Sequence, residues 1–405
     1  MTQSPPLRSV VAAARQSPPI DFNSPVPLDF IKGKTILITG GASGIGAAFF
    51  TKWAEHGAAV IIGDINVEAG TQLVASTRKT AKNDNLHFLP LDVTSWPSQV
   101  EFFREAAKLS PHGGIDTVVA NAGVNLIKES SYFETPPVDY QHDANPPPPP
   151  LKTVDINLTG VMYTSHLATF YLARNPGSAD CSPTSDPATT PRDRHLILIG
   201  SIASVYPIMS QVPYCVSKHG VLGLYRCLRA TGPLTSGVRV NMLCPYFIDT
   251  PLIDPSGRAV LAGASYGKVD DVVHAATRFV ADPRCVGRAV VVGPRLRVRE
   301  PEEIAVRSGA DGVPGPADIY DLADPEGELG SKVTNADGVV LRDVALWEIH
   351  AHDLENTDIM CHRMMTLFNT GAQLRGWKGV LSDLWLAFLM ALARCFGGKS
   401  RRERK

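Results

Sequence analysis

The stretch "LITGGASGIG", residues 37–46, joins a short apolar run to a glycine-rich turn. Gly40, Gly44 and Gly46 stand in it at G-x-x-x-G-x-G spacing, and an amphipathic segment follows to about Glu55. A strand, a glycine turn and a helix start in this order suit a phosphate, because the unpaired N–H groups and the dipole of a helix N-terminus favour anions. The stretch therefore predicts either a tight structural turn or the pyrophosphate site of a dinucleotide.

Short apolar runs alternate with longer amphipathic stretches over most of the chain. The runs lie at 35–39, 59–64, 86–92, 115–121, 195–200, 238–243 and 287–292. This alternation predicts parallel strands joined by crossover helices, with both faces of the sheet covered. We therefore expect an α/β protein whose single doubly wound Rossmann domain spans 33–299 and contains a seven-stranded parallel sheet.

The segments around and within this domain differ in composition. Residues 1–32 are rich in Pro and Ser and predict a flexible N-terminal arm. Residues 126–150, which end in a proline run, and residues 175–194 are expected to be loop insertions at the surface. Residues 300–343 contain eleven acidic and three basic residues, which predicts a solvated acidic linker.

Residues 344–405 are expected to form a C-terminal helical extension. Its apolar segment, 377–396, nearly has the length that a membrane span requires but includes Asp383. The tail "GGKSRRERK" carries five basic residues and one acid, which suits an anionic membrane surface. Two interpretations stay open: peripheral membrane contact through 377–405, or a helix packed on the domain or a subunit interface.

Composition excludes several classes of protein. A net charge of −1 leaves no general basic surface, so we expect no nucleic-acid partner. The seven cysteines are scattered and form no CxxC pair, which predicts neither a disulfide framework nor a zinc site. The N-terminus lacks the charged-then-apolar order of a secretory signal, so the expected location is the cytoplasm.

Asp64 ends the second predicted strand, eighteen residues after Gly46. An acidic side chain there can accept hydrogen bonds from the ribose hydroxyls of an adenosine, and it repels a 2′-phosphate. Because no Arg or Lys stands in the glycine turn or just after Asp64, the sequence favours NAD over NADP as the cofactor. The alternative role for Asp64 is a cap for the helix that follows.

Tyr214 and Lys218 stand four residues apart in a predicted helix, so their side chains share one face. A nearby ammonium favours the phenolate, and we expect Lys218 to lower the pKa of Tyr214 from its usual value of about 10. Such a phenol gives a proton to a carbonyl oxygen or takes one from an alcohol. Ser201 follows the strand 195–200, at the edge where α/β sheets bind ligands, and Asn157 lies in another predicted helix.

Taken together, these residues resemble the short-chain dehydrogenase/reductase family from about Gly33 to Gly293. The matching pieces occur in the family's order: "TGGASGIG" (39–46), Asp64, "DV" (92–93), "NAG" (121–123), Asn157, Ser201 and "YCVSK" (214–218). The stretches "VPYCVSKHGVLGLYRCLR" and "SGVRVNMLCP" are most similar to the NAD-dependent branch that includes 15-hydroxyprostaglandin dehydrogenase.

The resemblance implies a role for each matching residue. Tyr214 would be the general acid/base, and Lys218 would lower its pKa and bind the nicotinamide ribose. Ser201 would hold the substrate oxygen, and Asn157 would position a water on the proton-relay path. The implied cofactor-binding residues are Gly40, Ser43, Gly44, Ile45, Gly46, Asp64, Asp92, Val93, Asn121, Gly123 and Thr250, together with Tyr214 and Lys218. Because hydride moves directly between nicotinamide and carbon, we expect no metal.

Tyr246 departs from the family pattern, which usually has Gly after the position of Pro245. A phenol ring there should narrow the region near the nicotinamide, which leaves the size of the substrate open. We expect a homodimer or homotetramer that interconverts a secondary alcohol and a ketone of an apolar small molecule, a lipid or a specialised metabolite. The alternatives are an NADP-dependent membrane-tethered ketoreductase and a non-catalytic cofactor-binding module.

Overall fold

The computed structural model describes residues 15–22, 24–253, 258, 266–299, 320–321, 329–334, 338–350 and 385. Residues 14–351 form one compact unit, and all the elements named below belong to it. Apart from Trp385, the predicted apolar segment 377–396 and the basic tail lie outside the described residues. Within the described part of the chain, no helix is long and apolar enough to cross a membrane.

Parallel strands form the main part of the sheet, as the alternating pattern predicts. They are β1 (Thr35–Thr39), β2 (Ala59–Asp64), β3 (Leu86–Pro90), β4 (Thr117–Ala120), β5 (His195–Ile199), β6 (Arg239–Pro245) and β7 (Ala289–Arg299). Their order is β3-β2-β1-β4-β5-β6-β7, so the direction of winding reverses between β1 and β4. Open α/β sheets bind ligands at the carboxyl ends of the strands beside such a switch point. The α/β class and the doubly wound Rossmann architecture are confirmed.

Among the described residues, the sheet also contains three antiparallel strands that the sequence does not predict. They are β8 (Tyr320–Asp321), β9 (Lys332–Thr334) and β10 (Val340–Ile349). β10 pairs with β7 and covers its outer edge. β8 also pairs with β7, and β9 pairs with β10. The expectation of a linker over 300–343 and of a helix from 344 is therefore wrong for the residues of these strands. Buried and half-buried residues alternate along the first half of β10, a period of two that fits a strand rather than a helix.

Helices cover both faces of the sheet. They are α1 (Gly44–Glu55), α2 (Val67–Ala81), α3 (Trp96–Leu109), α4 (Ile127–Glu134), α5 (Val161–Leu172), α6 (Val212–Thr235) and α7 (Val269–Ala281). Successive residues of a strand point to opposite faces, so Ile36 and Ile38 enter one core while Leu37 enters the other. The first core includes Trp53 of α1, and the second includes Phe103 of α3.

The described part of the predicted N-terminal arm packs against the domain. The N–H of Ser17 donates to the Val286 carbonyl, and the N–H of Val286 donates to the Ser17 hydroxyl. Ile31, in a short 3₁₀ helix, is fully buried. The guanidinium of Arg278 donates to the carbonyl oxygens of Asp21 and Ser24. The expectation of a flexible arm is therefore wrong for these residues, because apolar and backbone groups there find partners on the domain.

The first insertion is not a loop throughout, whereas residues 175–194 contain no helix or strand. The first contains α4, whose Glu129 is buried and accepts hydrogen bonds from the backbone N–H groups of Lys152 and Thr153, each at 2.9 Å. In the second insertion, the side chains of Asn175 at its start and Asp193 near its end are buried. Both insertions are therefore fastened to the domain at places where a buried polar group needs a partner.

Candidate active site

The turn between β1 and α1 disfavours a side chain at its glycine positions. Gly40 and Gly44 have φ of +65° and +53°, in the left-handed region that favours glycine. A Cβ atom on Gly40 would lie 2.7 Å from Ala122 Cα, and one on Gly46 would collide with the Gly40 carbonyl. The Asn121 carboxamide donates to that same carbonyl at 2.9 Å and braces the turn from β4.

The N-terminus of α1 fits a pyrophosphate. The residue before the helix, Ser43, is exposed, and its side chain makes no capping hydrogen bond. Ile45 is half-buried, and Thr250 approaches from the far side, with its Cβ 3.7 Å from the position of a Cβ on Gly44. A helix start without a side-chain cap, next to glycines that let a ligand approach the backbone, suits a bound pyrophosphate. The residues present therefore fit a dinucleotide.

Asp64 fastens the glycine turn to the end of β2. Its Oδ2 atom accepts from the N–H of Ala42 and its Oδ1 atom from the N–H of Asn66, both at 3.0 Å. The cap of α2 is Asn66, which accepts from Ala69, so the alternative role of Asp64 as the helix cap is wrong. A carboxylate has about four acceptor positions, and Asp64 keeps capacity for a ribose hydroxyl.

Asp92 and Val93 lie beside Asp64 at the same edge of the sheet. The backbone connects them, because the N–H of Leu91 donates to the Asp64 carbonyl at 3.0 Å. The exposed carboxylate of Asp92 accepts from the N–H and the hydroxyl of Thr94, while Val93 is buried. Val93 thus packs into a hydrophobic core, and the Asp92 side chain holds a local turn.

Ser201 and Tyr214 meet at the carboxyl end of β5. The Ser201 hydroxyl caps the short 3₁₀ helix Ile202–Ser204 by accepting from Ala203 at 3.1 Å. The backbone N–H of Ser201 donates to the Ser204 hydroxyl, which fixes its position. Burial raises the pKa of Tyr214 to about 12, and a hydrogen bond with Ser201 opposes this rise.

Lys218 lies under Tyr214 rather than beside its hydroxyl. Its Nζ atom is 5.8 Å from the centre of the Tyr214 ring and donates to the carbonyl of Ile199 at 3.0 Å. Burial lowers the pKa of Lys218 to about 8, and the Cys244 thiol opposes this shift. The pKa of Tyr214 is therefore raised and not lowered as expected, because burial dominates and the Lys218 ammonium is directed at a carbonyl.

Asn157 lies in a π-helical turn, Asp155–Gly160, that leads into α5. Its carboxamide exchanges two hydrogen bonds of 2.8 Å with the backbone of Val124, and its Nδ2 atom donates to the Ser217 hydroxyl at 3.2 Å. A Cβ on Gly123 would lie 3.3 Å from Asn157 Oδ1 and 3.6 Å from Lys218 Nζ. The absent side chain of Gly123 therefore leaves the space between these two groups open.

The site falls into two groups of residues. The glycine turn, Asn121, Thr250 and Asp64 form one, and Ser201, Tyr214, Lys218, Gly123 and Asn157 form the other. Sequence reasoning missed Ser204 and Ser217, which hold Ser201 and Asn157 in place. Ser217 belongs to "YCVSK", so its position beside Lys218 was the available signal; for Ser204 the signal was a second serine within one turn of Ser201.

A Rossmann sheet with a nucleotide turn and a buried Ser–Tyr–Lys set defines a class of nicotinamide-dependent oxidoreductases. The family model described as short chain dehydrogenase matches residues 34–260. The chain belongs to the short-chain dehydrogenase family. As a member it is an NAD(P)-dependent oxidoreductase that acts on CH–OH groups, with an alcohol or ketone as substrate.

The chain is similar to several named dehydrogenases. It is 37% identical over 286 residues to 5′-hydroxyaverantin dehydrogenase of Dothistroma septosporum, which covers 67% of this chain and 88% of that one. It is 28% identical over 264 residues to the NAD⁺-dependent 15-hydroxyprostaglandin dehydrogenase of Rattus norvegicus, over 64% and 86% of the two chains. A crystal structure of a putative short-chain alcohol dehydrogenase from Sinorhizobium meliloti shares the fold, with a TM-score of 0.51, 24% identity and coverage of 65% and 96%.

Proposed function

We propose that this dehydrogenase interconverts a secondary alcohol and a ketone of an apolar small molecule, with Tyr214 as the general acid/base. The observation that carries the proposal is the buried Ser201–Tyr214 pair at the carboxyl end of β5, with Lys218 below it. A buried hydroxyl pair beside a buried ammonium, at the edge where α/β sheets bind ligands, is suited to proton transfer rather than to packing.

The state of Tyr214 suits ketone reduction directly. With its pKa near 12, the phenol is neutral at physiological pH and holds the proton that a carbonyl oxygen needs. The Ser201 hydroxyl binds the same oxygen and keeps it within reach of the phenol. A nicotinamide held in this site would supply or accept the hydride. Lys218 binds the nicotinamide ribose, and Asn157, fixed by Val124, belongs to the proton-relay path between Lys218 and solvent.

Alcohol oxidation requires the phenolate of Tyr214, and the ammonium of Lys218 favours it. Below its pKa of about 8, Lys218 is charged, 5.8 Å from the Tyr214 ring. A positive charge in a buried site favours the ionised phenol. Charge on Lys218 therefore helps Tyr214 to accept a proton from an alcohol, against the effect of burial.

The apolar character of the proposed substrate is supported by exposed side chains in the two loops that follow Ser201 and Pro245. Tyr206 and Met209 are 65% and 93% exposed, and Tyr246 is 36% exposed. Apolar groups that stay exposed close to a catalytic residue are suited to cover an apolar ligand. The named substrates of the relatives, 5′-hydroxyaverantin and 15-hydroxyprostaglandin, fit a specialised metabolite or a lipid.

We propose NAD as the cofactor because the carboxylate of Asp64 stands at the end of β2 and repels a 2′-phosphate. The relatives do not decide this point, since they include dehydrogenases named for NAD⁺ and others named for NADP. The dissociation constants of NAD and NADP, measured for the wild type and for Asp64→Ala, test the proposal. We expect the wild type to bind NAD at least tenfold more tightly and Asp64→Ala to lose most of this preference, about 1.4 kcal/mol. Tighter binding of NADP by the wild type would contradict it.

The proposed reaction is tested by a panel of apolar secondary alcohols and ketones, with the absorbance of the reduced cofactor as the signal. Tyr214→Phe removes the proton donor and should lower turnover by about 10²–10⁴-fold without unfolding the protein. The matched control is Tyr225→Phe, because Tyr225 is also a buried phenol on α6 but donates to the Gly287 carbonyl, away from the site. Turnover that survives Tyr214→Phe would overturn the mechanism.

A further inference from the structure

Gln99, in the first turn of α3, is a fully buried carboxamide whose hydrogen bonds all go to protein groups. Its Nε2 atom donates to the carbonyl of Val93 at 2.7 Å and to the carbonyl of Gly160 at 2.9 Å. Its Oε1 atom accepts from the Thr164 hydroxyl at 2.8 Å. A buried amide is costly unless it is paired, and this one is paired on both ends of the carboxamide.

The two carbonyls that Gln99 binds belong to two segments that carry predicted site residues. Val93 follows β3, two residues after Leu91, whose N–H donates to the Asp64 carbonyl. Gly160 ends the π turn that carries Asn157. The segments touch here, because a Cβ on Gly160 would lie 3.0 Å from the Val93 side chain. A single side chain thus joins the segment after β3 to the segment that holds Asn157.

The Gly160 carbonyl is also the place where the π turn joins α5. The Gln99 amide donates to it at 2.9 Å, and the Thr164 hydroxyl, whose single proton is shared between this carbonyl and Gln99 Oε1, also lies at 2.9 Å. A π turn is a rare departure from the regular helix and is kept where other contacts support it. Gln99 and Thr164, which also bind each other, provide that support.

We propose that Gln99 is a positioning residue that locks the Val93 segment to the Asn157 π turn and so holds both segments in the positions that a bound dinucleotide requires. The proposal rests on the proposed function, since it assumes that a nicotinamide dinucleotide contacts both segments. Loss of the two carbonyl bonds frees the segments from each other, so affinity for the dinucleotide falls beyond any general loss of stability.

The test is the dissociation constant of NAD, measured by titration calorimetry together with the melting temperature, for Gln99→Met. Met keeps the length of the side chain and removes its hydrogen bonds. The matched control is Asn175→Leu, because Asn175 is also a buried carboxamide that joins two segments, through Asp116 Oδ1 and the Asp193 carbonyl, but at the amino end of the strands. We expect both variants to melt lower by about 2–8 °C, and only Gln99→Met to bind NAD about tenfold more weakly.

Unchanged NAD affinity in Gln99→Met, with a lowered melting temperature, would overturn the proposal and leave Gln99 a purely structural residue. If Gln99→Met does not fold, Thr164→Val decides instead, since it removes the bond that orients the Gln99 amide. We expect that variant to weaken NAD binding two- to threefold, about 0.4–0.7 kcal/mol, and an unchanged affinity contradicts the proposal. A wild type that binds neither NAD nor NADP would overturn the proposed function, and this inference with it.

Discussion

The two ends of the parallel strands bury polar side chains for different purposes. At the amino end, Asp193 accepts from Arg239 at 2.6 and 3.0 Å and from the Lys34 ammonium at 2.9 Å, all within the protein interior. At the carboxyl end, the phenol of Tyr214 meets the Ser201 hydroxyl, and the ammonium of Lys218 meets one carbonyl. The Asp193 carboxylate is satisfied by contacts within the protein, while the Lys218 ammonium, with three donors and one acceptor among the described residues, keeps hydrogen-bonding capacity for a ligand.

The pKa shifts of buried groups also differ between the two ends. Burial raises the pKa of Asp193, but Arg239 and Lys34 outweigh burial and hold that pKa well below its usual range, so the charge is permanent. At the carboxyl end burial dominates, raising the pKa of Tyr214 to about 12 and lowering that of Lys218 to about 8. Groups shifted toward neutrality can exchange protons during a reaction, whereas a fully paired carboxylate stabilises the fold.

The largest expected effect on stability is that of Asp193→Ala. The substitution leaves Arg239 and Lys34 buried without their counter-ion, so the free energy of unfolding should fall by about 3–5 kcal/mol in denaturant titrations. Asp180→Ala is the control, because Asp180 pairs with Arg194 while half exposed, and we expect a loss below about 1 kcal/mol. Equal losses for the two variants would mean that the amino end is not the stabilising network described here.

A smaller effect concerns pH. Burial, followed by Arg239, lowers the pKa of His195 well below 6.5, and its Nε2 atom accepts from Asn241. Below pH ~6.5 the unfolded chain binds a proton at this residue and the folded protein does not, so stability falls as pH falls. The loss is about 1.4 kcal/mol per pH unit.

Denaturant titrations of the wild type and of His195→Gln between about pH 6 and pH 5 measure this contribution. In His195→Gln the decline in unfolding free energy should be shallower by about 1.4 kcal/mol per pH unit. Other titrating groups are common to both proteins and cancel in the comparison. Parallel pH profiles would show that His195 is protonated in the folded protein and would weaken the contrast between the two ends.

Much of the fold and of the candidate site can be predicted from the sequence, because strands and helices have different hydrophobic periods. The run 35–39, the glycine turn and the helix after it follow from local pattern alone, and the helical spacing of Tyr214 and Lys218 puts them on one face. The direction of the Lys218 ammonium does not follow, since it depends on where the carbonyl of Ile199 lies in the folded sheet.

Other features depend on contacts that have no local signature. The residues of β10 from 344 on are expected to be helical, and their pairing with β7 makes them part of a strand. The π turn at Asn157 adds one residue to a helical turn, which leaves the apolar pattern almost unchanged. A homodimer or homotetramer, a cytoplasmic location and membrane contact through 377–405 stay predictions from the sequence.

The central claim, that chemistry belongs to the carboxyl end of the sheet and stability to the amino end, is tested most directly by a crossed measurement. Turnover and unfolding free energy are each measured for Tyr214→Phe and for Asp193→Asn, the latter keeping the shape of the side chain. The account predicts that Tyr214→Phe loses turnover by about 10²–10⁴-fold and keeps wild-type stability, and that Asp193→Asn loses stability and, while folded, keeps its turnover. Loss of turnover in folded Asp193→Asn, or retained turnover in Tyr214→Phe, would contradict it.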